Sequence, residues 1–218
     1  MSKSTCFTKN NIEIFVGLKN SAYLCIMIES TRNTKLKIKL RNIANVFSGV
    51  YAKGTPTGEV ACLQVKDLFM SSPETTATRI ELIPKLYNCI LKKGDLLFAG
   101  KGATYLCEIF NFDIMAVPST TLYAIRLRSN VVSPEYLRWY LNHPSVVATI
   151  KTAQAGSGTP LIHKPTLENL EVIVPDQRTQ DLIVGLSFLQ KREKEILEAI
   201  AMKRMQITNQ ILINELNK

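Results

Sequence analysis

The sequence carries few residues with which to do chemistry. Its 218 residues include two histidines, His143 and His163, and five cysteines, Cys6, Cys25, Cys62, Cys89 and Cys107. The cysteines are odd in number, widely spaced and without a C-x-x-C pair, which argues against a disulfide framework and for reduced thiols in a cytoplasmic protein. Two unclustered histidines argue against a zinc site. Long apolar runs are also missing. The stretch 12–28 is interrupted by Glu13, Lys19, Asn20 and Ser21, too polar to span a bilayer, and it has no evident signal-peptide cleavage site. A soluble, cytoplasmic chain without a membrane span is expected.

Catalytic motifs are equally scarce. Phe98-Ala99-Gly100-Lys101-Gly102 matches F-x-G-x-G, a pattern with which many methyltransferases approach S-adenosylmethionine. Here the glycines precede a strand-like stretch, Tyr105 to Phe110, instead of opening a helix, and no Asn-Pro-Pro-Tyr or Asp-Pro-Pro-Tyr follows to hold a base. Nor is the run a P-loop, because Gly102 stands after Lys101 where Ser or Thr is required. A nuclease needs two or three carboxylates, usually with a lysine, converging on a metal. Asp95, Glu108 and Asp113 are close in sequence, but Ile109-Phe110 leaves no lysine in place. No G-x-S-x-G accompanies either histidine. A non-catalytic chain that holds no cofactor is expected, with a stand-alone methyltransferase or nuclease using Phe98 to Gly102 as the rival.

What the sequence does have is apolar content, positive charge and one long helix. Hydrophobic residues make up 46% of the chain, enough for a packed core. The formal charge is +9, and residues 1–175 hold 20 Lys and Arg against 12 Asp and Glu, while 176–218 hold 7 against 6. The excess therefore sits on the globular part, where it suits a polyanion, or serves only solubility. Lys35, Lys37, Lys39 and Arg41 alternate with Leu36, Ile38 and Leu40, the pattern of a strand with one cationic face. Such a face suits phosphates, or equally protects an exposed edge. Loops carrying Lys53, Arg79, Lys101, Thr104, Lys151, Gln154, Ser157 and Lys164 supply donors for DNA phosphates and base edges, although ordinary surface loops carry the same residue types. Lys151 and Lys164 are the expected phosphate contacts, and Lys101 and Gln154 the expected base readers.

The element pattern predicts an α+β domain. Asn42 to Phe47 reads as a short helix, Val60 to Val65 as a strand, and Lys92-Lys93-Gly94-Asp95 as a turn into the buried strand Leu96-Leu97-Phe98. Strands follow at 104–110 and 121–128. Ser133-Pro134-Glu135 opens a helix to Leu141, 146–150 is helical or extended, and Leu170 to Val174 is a strand. Mixed strands and helices without a regular βαβ repeat give that class. Beyond Pro175, Asp176 caps a helix whose apolar residues Leu182, Leu186, Leu189, Ile196, Ile200, Ile207 and Ile211 fall on one face. From Leu182 to Leu216 it spans roughly 50 Å, against a radius of gyration of about 13 Å for 100 residues, so part of the stripe needs a partner. Three regions result: an N-terminal extension at 1–33, a globular domain at 34–175 and a helical region at 176–218.

The order of landmarks resembles the specificity (S) subunit of type I restriction-modification systems. The matching stretches are Leu40 to Gly49, Leu63-Gln64-Val65-Lys66-Asp67, Leu91 to Phe98, Ser133-Pro134-Glu135-Tyr136-Leu137 through Leu141-Asn142, Gly156-Ser157 with Leu167 to Leu170, and Val174-Pro175 with Gln180 and Ile183-Val184. The resemblance implies one DNA target-recognition domain at 34–175 and one conserved helical region. Full-length family members carry two of each, their long helices packed antiparallel as a spacer. It further implies a non-enzymatic subunit that directs a DNA methyltransferase subunit, and a nuclease/translocase subunit where one exists, to a bipartite site on double-stranded DNA. S-adenosylmethionine, Mg and ATP would then belong to the partner subunits. With one copy of each region, the chain is expected to form a homodimer, or to pair with a second half-subunit, through the coiled-coil stripe. A coiled-coil adaptor that does not bind DNA is the remaining alternative.

Overall fold

Burial with a period of two organises the sheet residues. Leu96-Leu97-Phe98-Ala99 is a strand in which every residue is at most 1% exposed, because both of its faces are covered. Leu96 and Phe98 join one apolar cluster and Leu97 and Ala99 another. Successive side chains of a strand point to opposite faces, so a continuous apolar run is what such a position needs. The computed structural model describes residues 36–70, 72–100, 106–152 and 161–217. These fall in the second of two units, 1–34 and 35–218, into which the chain divides. The extension expected at 1–33, with Cys6 and Cys25, lies outside the described residues, as do Lys101, Thr104, Gln154 and Ser157.

Among the described residues the order is β1 (Leu36–Lys39), α1 (Leu40–Ile43), β2 (Ala44–Ser48), β3 (Val60–Leu63), β4 (Thr78–Ile80), β5 (Leu96–Ala99), β6 (Cys107–Ile109), β7 (Ala116–Pro118), β8 (Leu122–Leu127), α2 (Pro134–Asn142), α3 (Pro144–Thr152), α4 (Lys164–Glu168), β9 (Glu171–Val174) and α5 (Gln177–Leu216). An antiparallel sheet runs β2-β8-β5-β6, a mixed one runs β4-β3-β7 with β3 and β7 parallel, and β1 pairs antiparallel with β9. The architecture is α+β, with a long C-terminal helix after the sheets.

The layers follow from the alternation. Tyr123 and Ile125 of β8 face the helices, while Leu122 and Ala124 face the second sheet. In β3, Ala61 and Leu63 face the first sheet, and Val60 and Cys62 turn outward against Leu86 of the 3₁₀ turn Pro84–Cys89. At the turn into β5, Gly94 has φ +88°, a left-handed conformation that glycine adopts without a Cβ clash.

Two expectations change. The helix predicted at 42–47 is strand β2, preceded by the single turn α1. Ala44 and Val46 are buried with Asn45 exposed between them, and β2 pairs with β8 from Ala44↔Leu127 to Ser48↔Tyr123. Sheet pairing decides the matter for an apolar run that either period fits. The cationic strand ends at Lys39, so Arg41 lies on α1 and leaves that face, and Lys37 stands 3.7 Å from the Glu171 carboxylate across the ribbon. The caps form as read: the Ser133 hydroxyl accepts from the Tyr136 N–H at 3.2 Å and the Asp176 carboxylate from the Thr179 N–H at 3.0 Å.

Candidate nucleic-acid interface and helical docking face

Lys53 is exposed in the loop between β2 and β3, and Arg79 lies on β4. The Thr55 N–H donates to the Arg79 carbonyl at 2.8 Å, so the loop bearing Lys53 runs beside the strand bearing Arg79. Lys151 is exposed in the last turn of α3, and Lys164 begins α4, its ammonium 3.5 Å from the Glu168 carboxylate. Gly100 and Ile162 flank, in sequence, the segments 101–105 and 153–160 that contain the other four candidates and lie outside the described residues. The Ile162 N–H donates to the Gly100 carbonyl at 2.8 Å, and the Tyr123 hydroxyl donates to the Ile162 carbonyl at 2.8 Å. These bonds fasten the described residues on either side of those segments together. A Cβ on Gly100 would lie 2.3 Å from the Tyr123 ring, so close packing accounts for the first glycine of F-x-G-x-G.

Two exposed aromatics escaped the sequence reading. Tyr51 is 90% exposed and Phe69 is 63% exposed. Val50 bridges to Ser119, whose N–H donates to the Leu63 carbonyl at 2.8 Å, so the chain leaves β2 and β3 side by side. Exposed rings stack well on nucleotides, but isolated aromatics give no periodic signal.

At the other end of β5 and β8, Lys92, Lys93, Arg126 and Arg128 line a groove with Ser133 and Gln177. Asp95, 2% exposed, receives Arg126 at 2.8 Å on Oδ1 and 2.6 Å on Oδ2, and the Lys92 N–H at 2.7 Å. Arg126 also donates to the Ile90 carbonyl at 2.8 Å and lies over the Phe47 ring. Its bonds to Asp95 push the guanidinium pKa higher still. Asp113 pairs with Lys93 at 2.6 Å and Glu108 with Arg138 at 3.2 Å. The three carboxylates considered for a nuclease are thus divided among three different cations. Cys62, Cys89 and Cys107 are free thiols. Burial pushes the Cys62 and Cys107 thiols up, with nearby Asp67 and Glu108 adding to it respectively, which makes them weak nucleophiles.

The helix is the other half of the site. Gln180 is fully buried, and Ile183 and Val184 pack on the core, whereas every described side chain from Phe188 onward is exposed. At about 100° per residue, the predicted stripe points about 160–240° away from Gln180. Leu182 is half-buried, and Leu186, Leu189, Ile196, Ile200, Ile207 and Ile211 are exposed. The stripe therefore lies on the side of α5 opposite the domain. A second row, Met202, Met205, Leu212 and Leu216, lies in line with Gln180 but beyond the reach of the domain, and is exposed as well. The distal helix is apolar on two sides, which an isolated surface helix is not.

These features define a class: an α+β domain from which a 40-residue helix projects with its apolar faces uncovered. Three solved structures share the fold. They are the S subunit of a type I restriction-modification system from M. genitalium (TM-score 0.51, 15% identity, covering 80% of this chain and 44% of that one), a chain from a type I R-M system solved for its complex assembly and conformational transition (0.53, 16%, 88% and 47%), and the HsdS subunit from Thermoanaerobacter tengcongensis (0.54, 16%, 83% and 46%). The chain spans less than half the length of each. No protein-family model and no curated protein matches the sequence. No described helix is long and apolar enough to cross a membrane.

Proposed function

We propose that the chain is a DNA specificity subunit of a type I restriction-modification system: its 34–175 region recognises double-stranded DNA, and α5 pairs chains and docks a methyltransferase subunit. The carrying observation is the fold shared with S subunits over 80–88% of the chain. The cationic loops and the uncovered helix faces agree with it. Two stripes on opposite sides of α5 suit two occupants, the stripe from Leu182 to Ile211 a second helix and the Met202 to Leu216 row a partner subunit. Closed pairs of identical chains are mostly two-fold symmetric, so a homodimer would read a bipartite inverted repeat with an uncontacted spacer. S-adenosylmethionine, Mg and ATP chemistry belongs to the partners in this reading, and a nuclease/translocase subunit would join through them.

Selection of bound sequences from a random DNA pool, with the methyltransferase subunit present, tests the reading. Two identical half-sites are expected, with binding that falls at a log–log salt slope of about −5 if roughly six phosphates are contacted. A flat salt response with no DNA retained would favour the coiled-coil adaptor, and methyl transfer by the purified chain alone would favour the enzyme.

A further inference from the structure

A buried amide anchors the root of α5. Gln180 is 0% exposed, and its amide is fully used: Oε1 accepts from the Ser133 N–H at 2.9 Å, and Nε2 donates to the Val131 carbonyl at 2.8 Å and to the Pro175 carbonyl at 3.0 Å. Ser133 is itself the cap of α2. From α2, the Tyr136 hydroxyl donates to the Ile173 carbonyl at 2.7 Å and the Tyr140 hydroxyl to the Glu171 carbonyl at 3.0 Å. These bonds close a ring, from α2 through β9 and Pro175 to α5 and back to α2. Ile183 and Val184 add apolar contact, but apolar contact is not directional, whereas three hydrogen bonds from a planar amide fix an orientation.

We infer that Gln180 is a positioning residue that sets the angle between the recognition domain and its projecting helix. About 30 residues stand clear of the domain after Ser187, a lever of about 45 Å. A tilt of roughly 10° at the root would move the tip by about 8 Å, or about two base pairs at 3.4 Å each. The consequence for DNA rests on the function proposed above: the Gln180 amide, together with helix length, fixes the separation of the two half-sites.

The test is the distribution of distances between spin labels placed at Lys85 and Met205 by unnatural amino acids, with labelled chains diluted into excess unlabelled chain. The wild type is expected to give one narrow distance. Gln180→Met, which removes all three bonds at similar length, and Gln180→Glu, which keeps the acceptor for Ser133 and loses both donors, are expected to widen it at least twofold. Gln190→Met, on the exposed helix, should not. A variant with a folded domain and wild-type width, or a broad wild-type distribution, would overturn the inference whether or not DNA is bound. In the pool selection, both Gln180 variants should keep the half-sites and accept spacers about two base pairs longer or shorter. A wild type without sequence preference would remove the DNA reading and leave the distances to decide the lock.

Discussion

Replacing Ile200 by Asp separates a helix that pairs chains from one that packs on its own domain. Ile200 is 43% exposed in the single chain and lies well beyond Ser187, so neither the core nor the Gln180 anchor is touched. Ile and Asp have comparable helix propensities, and α5 should persist. Full burial of an isoleucine stabilises by about 1.5–3 kcal/mol, so covering the exposed fraction contributes about 1 kcal/mol per chain and about 2 per two-fold pair. Two carboxylates forced into an apolar seam cost at least about 2 kcal/mol more. The sum, about 4 kcal/mol, corresponds to roughly a thousandfold rise in the dimer dissociation constant. Sedimentation equilibrium should show that shift while the melting temperature of the domain, read at low protein concentration, stays within a degree or two of wild type. An unchanged dissociation constant, or a domain that melts much earlier, would refute the reasoning and assign the stripe to packing within the chain. Met205→Asp is the matched comparison: self-association should survive, and capture of a methyltransferase subunit should fail.

Three further outcomes can be measured. Lys151→Ala with Lys164→Ala should weaken binding to all DNA sequences alike and reduce the magnitude of the salt slope by about 2; a changed consensus would contradict a phosphate role. Asn142→Leu should destabilise by about 2–6 kcal/mol in urea titrations, because the Asn142 amide pairs with both the N–H and the carbonyl of Cys107, at 2.9 and 2.7 Å, and each buried group left unpaired costs about 1–3 kcal/mol. The Asp176 carboxyl is held below its ordinary 3.8 by hydrogen bonds from the Thr179 hydroxyl and then the Thr179 N–H. Its contribution is therefore complete above that ordinary value and disappears as pH falls through the lower folded one. Acid titration of helical circular dichroism should show fraying at the start of α5 there, and Asp176→Asn, which keeps an acceptor, should remove that step.

The elements that could be read directly were those written in local chemistry. Ser133-Pro134 and Asp176 announce helix starts because a hydroxyl or carboxylate must meet the free N–H groups of the first turn, and Leu96 to Phe98 announces a strand covered on both faces. The cationic ribbon and β2 were partly misread because α1 is a single turn, too short to show a period. β4 and β7, three residues each, are likewise below the length at which alternation is a signal. The proximity of the Lys53 loop to Arg79 depends on a bond between Thr55 and Arg79 across 24 residues, for which nothing in the local sequence is diagnostic. The second helical row, Met202 to Leu216, was legible in principle; following one stripe along α5 hid it, since a helix apolar on two sides does not present a single face.

The arrangement also separates the fold from the loops it carries. The strands that end near Leu63, Gly100 and Ser119 are buried on both faces, β2, which ends near Gly49, is buried mainly on one, and the chain leaves them from ends pinned by the Gly100, Ser119, Tyr123 and Ile162 bonds. Doubling a flexible loop costs only about 0.6 kcal/mol in closure entropy, less than the loss of any one of the core side chains, which is typically about 2–5 kcal/mol on truncation to alanine. Loop replacement between Gly49 and Val60 should therefore leave folding intact while altering what the surface contacts. The root of α5 stands at the opposite ends of β5 and β8, where Asp95, Arg126 and Gln180 are each engaged in part-buried hydrogen bonds. The candidate loop between β2 and β3 and the root of α5 thus lie at different ends of the packed strands, and a change at one end need not be transmitted to the other.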